Sequence, residues 1–355
     1  MRFAFVLPNL SGGGAEKAVV KTALALVQRN HQAGLFLLSN RNSYDVSPLI
    51  NIYLIANKLQ RSWLGKRFLA FRLRRSLLHF QPDIVISTLP FADEVTSLTN
   101  SPNHWCRIAN TLSAEIKNIE AISVYKASRR FRKYKKIYGK KPLIAVSNGV
   151  AADLRGYFGV TSRIETVFNP FDFDFIREAC RDPQFIPPSY EYVIHVARFS
   201  PQKRHDILLD AWTKIPCGPR LLLLTESSPS LEAMINSRGL TDRVQIIGFQ
   251  SNPYSWMANA KLLVLCSDYE GLPNVLIESL ICGTPVISTD CPSGPSQILA
   301  DVLPQSLVAC GNSDELAARI RSFLLRSPSI ENIDLSAYAS ECTAEAYEKI
   351  ATDII

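Results

Sequence analysis

No apolar run in the chain approaches the ~20 residues that a membrane-crossing helix requires, which argues against an integral membrane protein. The early run Phe3-Ala-Phe-Val-Leu7 is far too short for a signal-peptide core and reads as a first strand. Paired cysteine spacing is missing too. The eight cysteines (106, 180, 217, 266, 282, 291, 310 and 342) form no Cys-x-x-Cys, and several lie in apolar segments, so they read as small buried hydrophobes in a reducing cytoplasm. Histidine is sparse: the five at 31, 79, 104, 195 and 205 show no ligand spacing and read as structural or surface residues. What is present is enough for two cores, since 355 residues with 47% hydrophobic and 20% charged composition divide into two domains of about 170 residues.

Acidic residues are scarce in one half only. Residues 1 to 170 carry 25 Lys and Arg against 9 Asp and Glu, a net of +16, whereas 171 to 355 carry 14 against 23, a net of −9. Two segments hold most of the excess. In Arg61 to Phe80, Arg61, Lys66, Arg67, Arg72, Arg74 and Arg75 interleave with Trp63, Leu64, Phe68, Leu69, Phe71 and Leu73, and Lys126 to Lys141 has nine basic residues and no acid. Cations mixed with large apolar residues at helical spacing suit an anionic membrane surface or a lipid pyrophosphate. A solvated basic face is the plainer reading, and no nucleic-acid motif accompanies the charge.

Apolar runs alternate with helical periodicity along the whole chain. Candidate strands are Phe3 to Leu7, Gly34 to Leu38, Asp83 to Ser87, Trp105 to Ala109, Leu143 to Val146 and Ile164 to Phe168 in the first half. In the second half they are Tyr192 to Ala197, Leu221 to Leu224, Arg243 to Ile247, Leu262 to Cys266 and Pro285 to Thr289. Helical patterns such as Glu16 to Gln28, His205 to Lys214, Leu231 to Ser237 and Val275 to Cys282 separate them, which predicts an α/β chain with two parallel, Rossmann-like sheets. The interval from Asn169 to Ser189, with Pro170, Pro183, Pro187 and Pro188, reads as the hinge.

Between Ser267 and Asp290 lie two carboxylates, Glu270 and Glu278, eight positions apart across a helix start. Glu270 falls on a loop at the carboxyl end of a buried strand, where open α/β sheets bind ligands, and Pro273 and Asn274 open a helix that stops at Gly283. That spacing fits a nucleotide-sugar site, with Glu270 on sugar hydroxyls and Glu278 on a ribose diol. A helix cap and a solvated helix residue fit the same pair. Arg198 and Lys203, five apart after the strand Tyr192 to Ala197, supply a guanidinium fork and a point charge suited to a pyrophosphate. Gly12, Gly13 and Gly14 precede a helix whose first turn holds Glu16, and Gly271 to Asn274 precede another; each start offers free N–H groups to a phosphate.

The blocks Glu270 to Pro285, Val196-Ala-Arg-Phe-Ser-Pro-Gln-Lys203, Gly12-Gly13-Gly14-Ala-Glu16, and Ala145-Val-Ser-Asn-Gly149 leading to Asn169-Pro170 resemble, in order, the family 4 glycosyltransferases of the two-domain GT-B fold. Gly248-Phe-Gln-Ser-Asn-Pro253 and Cys291-Pro-Ser-Gly-Pro295 are similar to enzymes extending bacterial surface or lipid-linked glycans. The resemblance implies two Rossmann-like domains facing a central cleft: 1–170 on the acceptor side, 171–335 binding the nucleotide sugar, and a helix in 336–355 returning to the first. It implies retaining transfer from a nucleotide diphosphate sugar, with UDP the expected nucleotide, to a glycan or lipid-linked glycan, without a protein-bound metal or other cofactor. Glu270, Arg198 and Lys203 are the implied catalytic residues. Gly13, Gly14, Arg198, Lys203, Phe249, Gly271, Leu272, Pro273, Asn274 and Glu278 are the implied donor contacts. The cytoplasmic membrane face is the expected location. A nucleotide-sugar epimerase or hydrolase, or a non-catalytic binding protein on a membrane, would share these features.

The chain departs from the family pattern at several points. Asn110 and Thr111 stand where relatives carry a histidine, with His104 the nearest alternative. Leu221-Leu-Leu-Leu-Thr-Glu-Ser-Ser228 lacks the usual Gly-x-Gly, leaving Thr225 or Glu226 for donor contacts there, and Gln297 stands for a glutamate. Asp172-Phe-Asp174 matches a metal signature of the other glycosyltransferase fold only superficially and is assigned no metal.

Overall fold

Parallel strands organise both halves of the chain in the computed structural model, which describes residues 1–11, 13–41 and 46–354. One unit comprises Met1–Phe171 together with the stretch from Ser336 onward; the other is Asp172–Leu335. The first sheet contains β1 (Arg2–Leu7), β2 (Gln32–Leu37), β3 (Asn51–Leu54), β4 (Ile84–Thr88), β5 (His104–Ile108), β6 (Leu143–Ala145) and β7 (Ile164–Thr166), in the order β3-β2-β1-β4-β5-β6-β7. Every pairing is parallel.

A strand sends alternate side chains to opposite faces, so helices on both faces explain why the strands read as continuous apolar runs. Phe3, Phe5 and Leu7 pack in one core with Val19, Ala23 and Leu26 of the helix Gly14–Gln28 and with Ala344, Tyr347 and Ile350 of the C-terminal helix Ser340–Thr352. Ala4 and Val6 enter the opposite core with Leu69, Leu73 and Leu77 of the helix Trp63–Phe80 and Ala92 and Val95 of the helix Pro90–Ser97. Ser62 caps the first of these by accepting from Gly65 N at 3.1 Å, and Ser123 caps the helix Val124–Tyr138. β3 was not expected, because three of its four residues are exposed at the sheet edge and carry no alternating pattern.

The second sheet contains β8 (Tyr192–Val196), β9 (Arg220–Leu224), β10 (Val244–Ile246), β11 (Leu262–Leu265), β12 (Val286–Thr289) and β13 (Leu307–Val308), in the order β10-β9-β8-β11-β12-β13. Growth reverses direction between β8 and β11, and that reversal point is where an open α/β sheet leaves a crevice. β13, only two residues long, also escaped the sequence reading. Of the cysteines, Cys106, Cys266 and Cys291 are buried as expected of small hydrophobes, whereas Cys217, Cys310 and Cys342 are exposed; all eight are free thiols. Among the described residues no helix is long and apolar enough to cross a membrane.

Candidate functional site

Parallel pairing of β8 with β11 brings the loops that follow them to the same carboxyl edge of the second sheet. The loop after β8 closes in the short helical turn Pro201–Lys203, and the loop after β11 runs into the helix Asn274–Ile281. Asp268 N donates to Gln202 O at 2.9 Å, and Gln202 Nε2 donates to Tyr269 O at 2.6 Å. Arg204, left-handed at φ 46°, divides its guanidinium between Asp206 and Asp268. These bonds fix the loops in register, and the consequence is an ion pair: Lys203 Nζ lies 2.5 Å from Glu270 Oε1. Ser267 Oγ donates to the same oxygen at 2.5 Å. Glu270 is buried, with 6% of its surface exposed, so its charge is held by these donors in a poorly solvated place.

The loop after β12 locks onto the same group. Glu270 N donates to Pro292 O at 3.2 Å, and Thr289 Oγ1 donates to Ser267 O at 2.6 Å. Gly294, at φ 103°, lies against Gly271 O and Pro273; a Cβ there would meet Pro273 Cδ at 2.4 Å. Only glycine combines that left-handed backbone with so close an approach. Gly271, Leu272 and Pro273 are buried beneath it. The helix Asn274–Ile281 then begins without a side-chain cap, and Leu276 N turns back to donate to Pro273 O at 3.1 Å.

Lys203 and Glu270 are therefore joined, although sequence position had assigned one to phosphates and the other to sugar. Glu278 belongs to another group: it is half-buried on the helix and accepts from Tyr254 Oη at 3.2 Å. Arg198 is exposed, and among the described residues its side chain has neither a hydrogen bond nor an ion pair. Phe249 is 55% exposed on the loop after β10. Thr225 ties the β8 and β9 loops by accepting from Phe199 N at 3.0 Å, while Glu226 is exposed and Gln297 is half-buried on the helix Pro295–Leu299.

In the first unit Gly13 is the extended N-cap of the helix Gly14–Gln28, and Gly12 lies outside the described residues. Glu16, in the first turn, is 8% exposed and turns its carboxylate toward Gly13. Asn110 Oδ1 accepts from Thr111 N at 3.0 Å just beyond β5. His104, read from the sequence as structural and as the nearest alternative to the family histidine, is buried. It stands at the amino end of β5, fully enclosed, with Nε2 2.8 Å from Ser87 Oγ, and burial lowers its pKa to about 3. Ser87 and Tyr138 both donate to Asp93, whose pKa burial raises to about 7. This sealed network holds the helix Pro90–Ser97 to the sheet. Asp172 caps the helix Phe173–Ala179, and the Asp174 side chain is almost fully exposed beside Arg177.

Sequence reasoning missed Ser267, Gln202, Gly294 and Arg107. Arg107 is 2% exposed, hydrogen-bonds Asn169, and lies near Glu16 and Tyr347; burial lowers its pKa. Its signal was an arginine inside an apolar strand. Gly294 stood within the quoted Cys291 to Pro295 motif.

Two sequence families match the chain: that described as Glycosyltransferase Family 4 over residues 12–175, and that described as Glycosyl transferases group 1 over residues 176–340. A similar protein is the N-acetylgalactosamine-N,N'-diacetylbacillosaminyl-diphospho-undecaprenol 4-alpha-N-acetylgalactosaminyltransferase of Campylobacter jejuni, 26% identical over 334 residues, covering 89% of this chain and 88% of that one. The lipopolysaccharide 1,6-galactosyltransferase of Escherichia coli is 24% identical over 357 residues, covering 98% and 96%. The fold is shared with Anabaena Alr3699/HepE, solved in complex with UDP-glucose, at a TM-score of 0.67 and 18% identity, covering 100% of this chain and 98% of that one.

Proposed function

The chain belongs to the family 4 glycosyltransferases of the GT-B fold, and from that premise we propose that it is a retaining transferase moving a sugar from a UDP-sugar to a lipid-linked or lipopolysaccharide glycan. The observation that carries this reading is the Lys203–Glu270 pair at the reversal point of the second sheet, beside exposed Arg198 and the uncapped helix start at Asn274. A sugar leaving a diphosphate places negative charge on the leaving oxygens and positive charge on the anomeric carbon, so cations belong at the phosphates and a carboxylate near the sugar. Arg198 and the amides from Gly271 to Asn274 take the diphosphate, Lys203 reaches it while orienting Glu270, and Glu270 faces the sugar. Glu278 holds the ribose, and Phe249 lies at the base. The UDP-glucose held by the Anabaena neighbour and the diphospho-undecaprenol in the Campylobacter relative's name support the donor and acceptor classes.

The acceptor side is proposed to work against an anionic membrane. Glu94, on the helix Pro90–Ser97, bridges Lys66 at 2.7 Å and Lys133 at 2.6 Å, which ties both basic helices to one face of the first unit. Burial raises the Glu94 pKa, and the two ammonium groups outweigh it to hold the carboxylate below its usual range. Trp63, Leu64, Phe68, Phe71 and Leu78 are exposed on one helix, and Ile122, Val124 and Tyr125 at the start of the other.

Calorimetric titration with UDP, followed by product analysis with excess EDTA present, tests the donor reading. Arg198→Ala should weaken UDP binding about tenfold or more, and transfer should persist without free metal. Glu270→Gln should lower kcat more than UDP affinity, and Glu278→Gln the reverse. Unchanged UDP affinity in Arg198→Ala removes the cation from the site, and free sugar released without an acceptor marks a hydrolase.

A further inference from the structure

In the first unit, between the helices Leu112–Glu120 and Val124–Tyr138, lies an open groove of about 690 Å³. Ile116, Ala127, Phe131 and Tyr157 give it an apolar lining, and Ser128, Glu120 and Arg132 supply its polar part. The wall is preformed: Phe131 stacks on Phe158 with ring centroids 5.5 Å apart and meets Tyr157 edge-on at 5.6 Å. The turn joining the two helices exposes 83% of Ile122, 64% of Val124 and 67% of Tyr125, leaving apolar surface in water beside the groove.

The helix Val124–Tyr138, which forms one wall of the groove, carries charge of one sign only. Within the helix Val124–Tyr138, Arg130 pairs with Glu115 and Lys133 with Glu94. Among the described residues Lys126, Arg129, Arg132, Lys135 and Lys136 form no ion pair. Arg132 lines the groove together with Glu120, and Lys135 lies over the Phe131 ring of its wall at 5.9 Å, so cations beside an apolar trough fit a molecule with a hydrocarbon chain and an anionic head. The volume is that of a small-molecule site, too small for a helix of a partner protein, whose side chains span ~10 Å across. Glu94 places this helix on the same face as Trp63–Phe80, which favours a lipid occupant over a peptide.

We propose that this groove takes the hydrocarbon chain of a phosphate-bearing lipid, with the phosphate held at Arg132 and its neighbouring cations. The proposal rests on the lipid-acceptor reading above and locates the lipid part of that acceptor on the first unit. Ser128 lines the groove from an exposed helical position, so Ser128→Trp fills it without disturbing the core.

The test is titration of the full chain with farnesyl phosphate below its micelle concentration, with farnesol and inorganic phosphate as separate arms and UDP titration as the control for folding and for the donor site. Farnesyl phosphate should bind the wild-type protein, and Ser128→Trp should weaken it at least tenfold with UDP affinity unchanged. Arg132→Gln should weaken farnesyl phosphate several-fold and leave farnesol unaffected. Wild-type affinity in Ser128→Trp overturns the groove, as does equal competition by inorganic phosphate, which would mean a bare anion on the basic helix. Displacement of farnesyl phosphate by an acidic amphipathic peptide of higher affinity would assign the groove to a protein partner instead. Loss of UDP binding by the wild-type chain would sink the transferase reading, whereas failure of farnesyl phosphate with intact UDP binding sinks only the groove.

Discussion

Glu270 is buried, and Lys203 and Ser267 both bond its Oε1, at 2.5 Å each. Removing one member of such a pair leaves an uncompensated charge and costs about 3 to 5 kcal/mol, while replacing both partners is much less harmful. Lys203→Met should therefore destabilise the second unit by about 3 kcal/mol, and adding Glu270→Gln should restore much of the loss. Denaturant titration of the two single variants and the double variant checks this, and additive losses would show that the pair does not interact. At Gly294 the obstacle is geometric: alanine would force a left-handed backbone at φ 103° and a Cβ 2.4 Å from Pro273 Cδ. Strain of this kind costs about 1 to 3 kcal/mol, and it falls on the loop that presents the Gly271 to Asn274 amides. Gly294→Ala should weaken UDP binding several-fold while Gly283→Ala, also left-handed but facing open space at the helix end, should affect stability only. Equal UDP affinity in both would remove Gly294 from the donor site.

Among elements, the helix Trp63–Phe80 shows how one periodicity can write two faces. Leu69, Ala70, Leu73, Leu77 and Phe80 are buried against the sheet, while Trp63, Leu64, Phe68, Phe71 and Leu78 are exposed with Arg67, Arg72, Arg74 and Arg75 among them. Arg67 lies 5.2 Å from the Trp63 ring and Arg72 5.9 Å from that of Phe68, so cations and aromatics share the outer surface. On acidic liposomes each cation near the surface should contribute about 1 kcal/mol, and apolar insertion adds to it. Cosedimentation at low salt should fall on going to 1 M salt, where the screening length is ~3 Å, and Phe68→Ser with Phe71→Ser should leave a weaker, wholly salt-sensitive binding. Wild-type protein that ignores acidic liposomes at low salt would reduce this helix to a solvated basic face. Its existence was legible in the sequence, as were eleven of the thirteen strands among the described residues, because long apolar periods survive any tertiary context. The exposed edge strand Asn51–Leu54 and the two-residue Leu307–Val308 were not, since pairing with a neighbour alone makes them strands. Glu270 and Lys203 were legible as loop residues after buried strands. Their contact was not, because the two residues are 67 positions apart and meet only through the register of β8 against β11.

Across the molecule, the two units differ in the buried groups that titrate. In the second unit burial lowers the pKa of His195 to about 3 and of His205 to about 4, against 6.5 for a solvated imidazole. Each histidine is neutral in the fold, so its contribution to stability is fully present above pH 6.5 and is lost as pH falls toward 4, when the unfolded chain takes up the proton first. Two such groups give a slope of up to about 2.7 kcal/mol per pH unit. The first unit holds one such histidine, His104, and beside it Asp93, whose pKa is raised from 3.8 to about 7. Asp93 acts with the opposite sign: its fold retains a proton that the unfolded chain has released, so its contribution is present in acid and is lost as pH rises from about 4 to about 7. Between pH 6.5 and 4 the two groups of the first unit nearly cancel, while the two histidines of the second act together. The second unit should therefore become the less stable as pH falls from 6.5 to 5, and hydrogen exchange corrected for intrinsic rates should show β8 and β11 losing protection while β1 and β4 keep theirs. His205→Phe should halve the slope in the second unit, and Asp93→Asn should expose that of His104 in the first. Parallel loss of protection in both sheets, unaffected by these substitutions, would mean that exposed carboxylates rather than the buried groups govern acid stability.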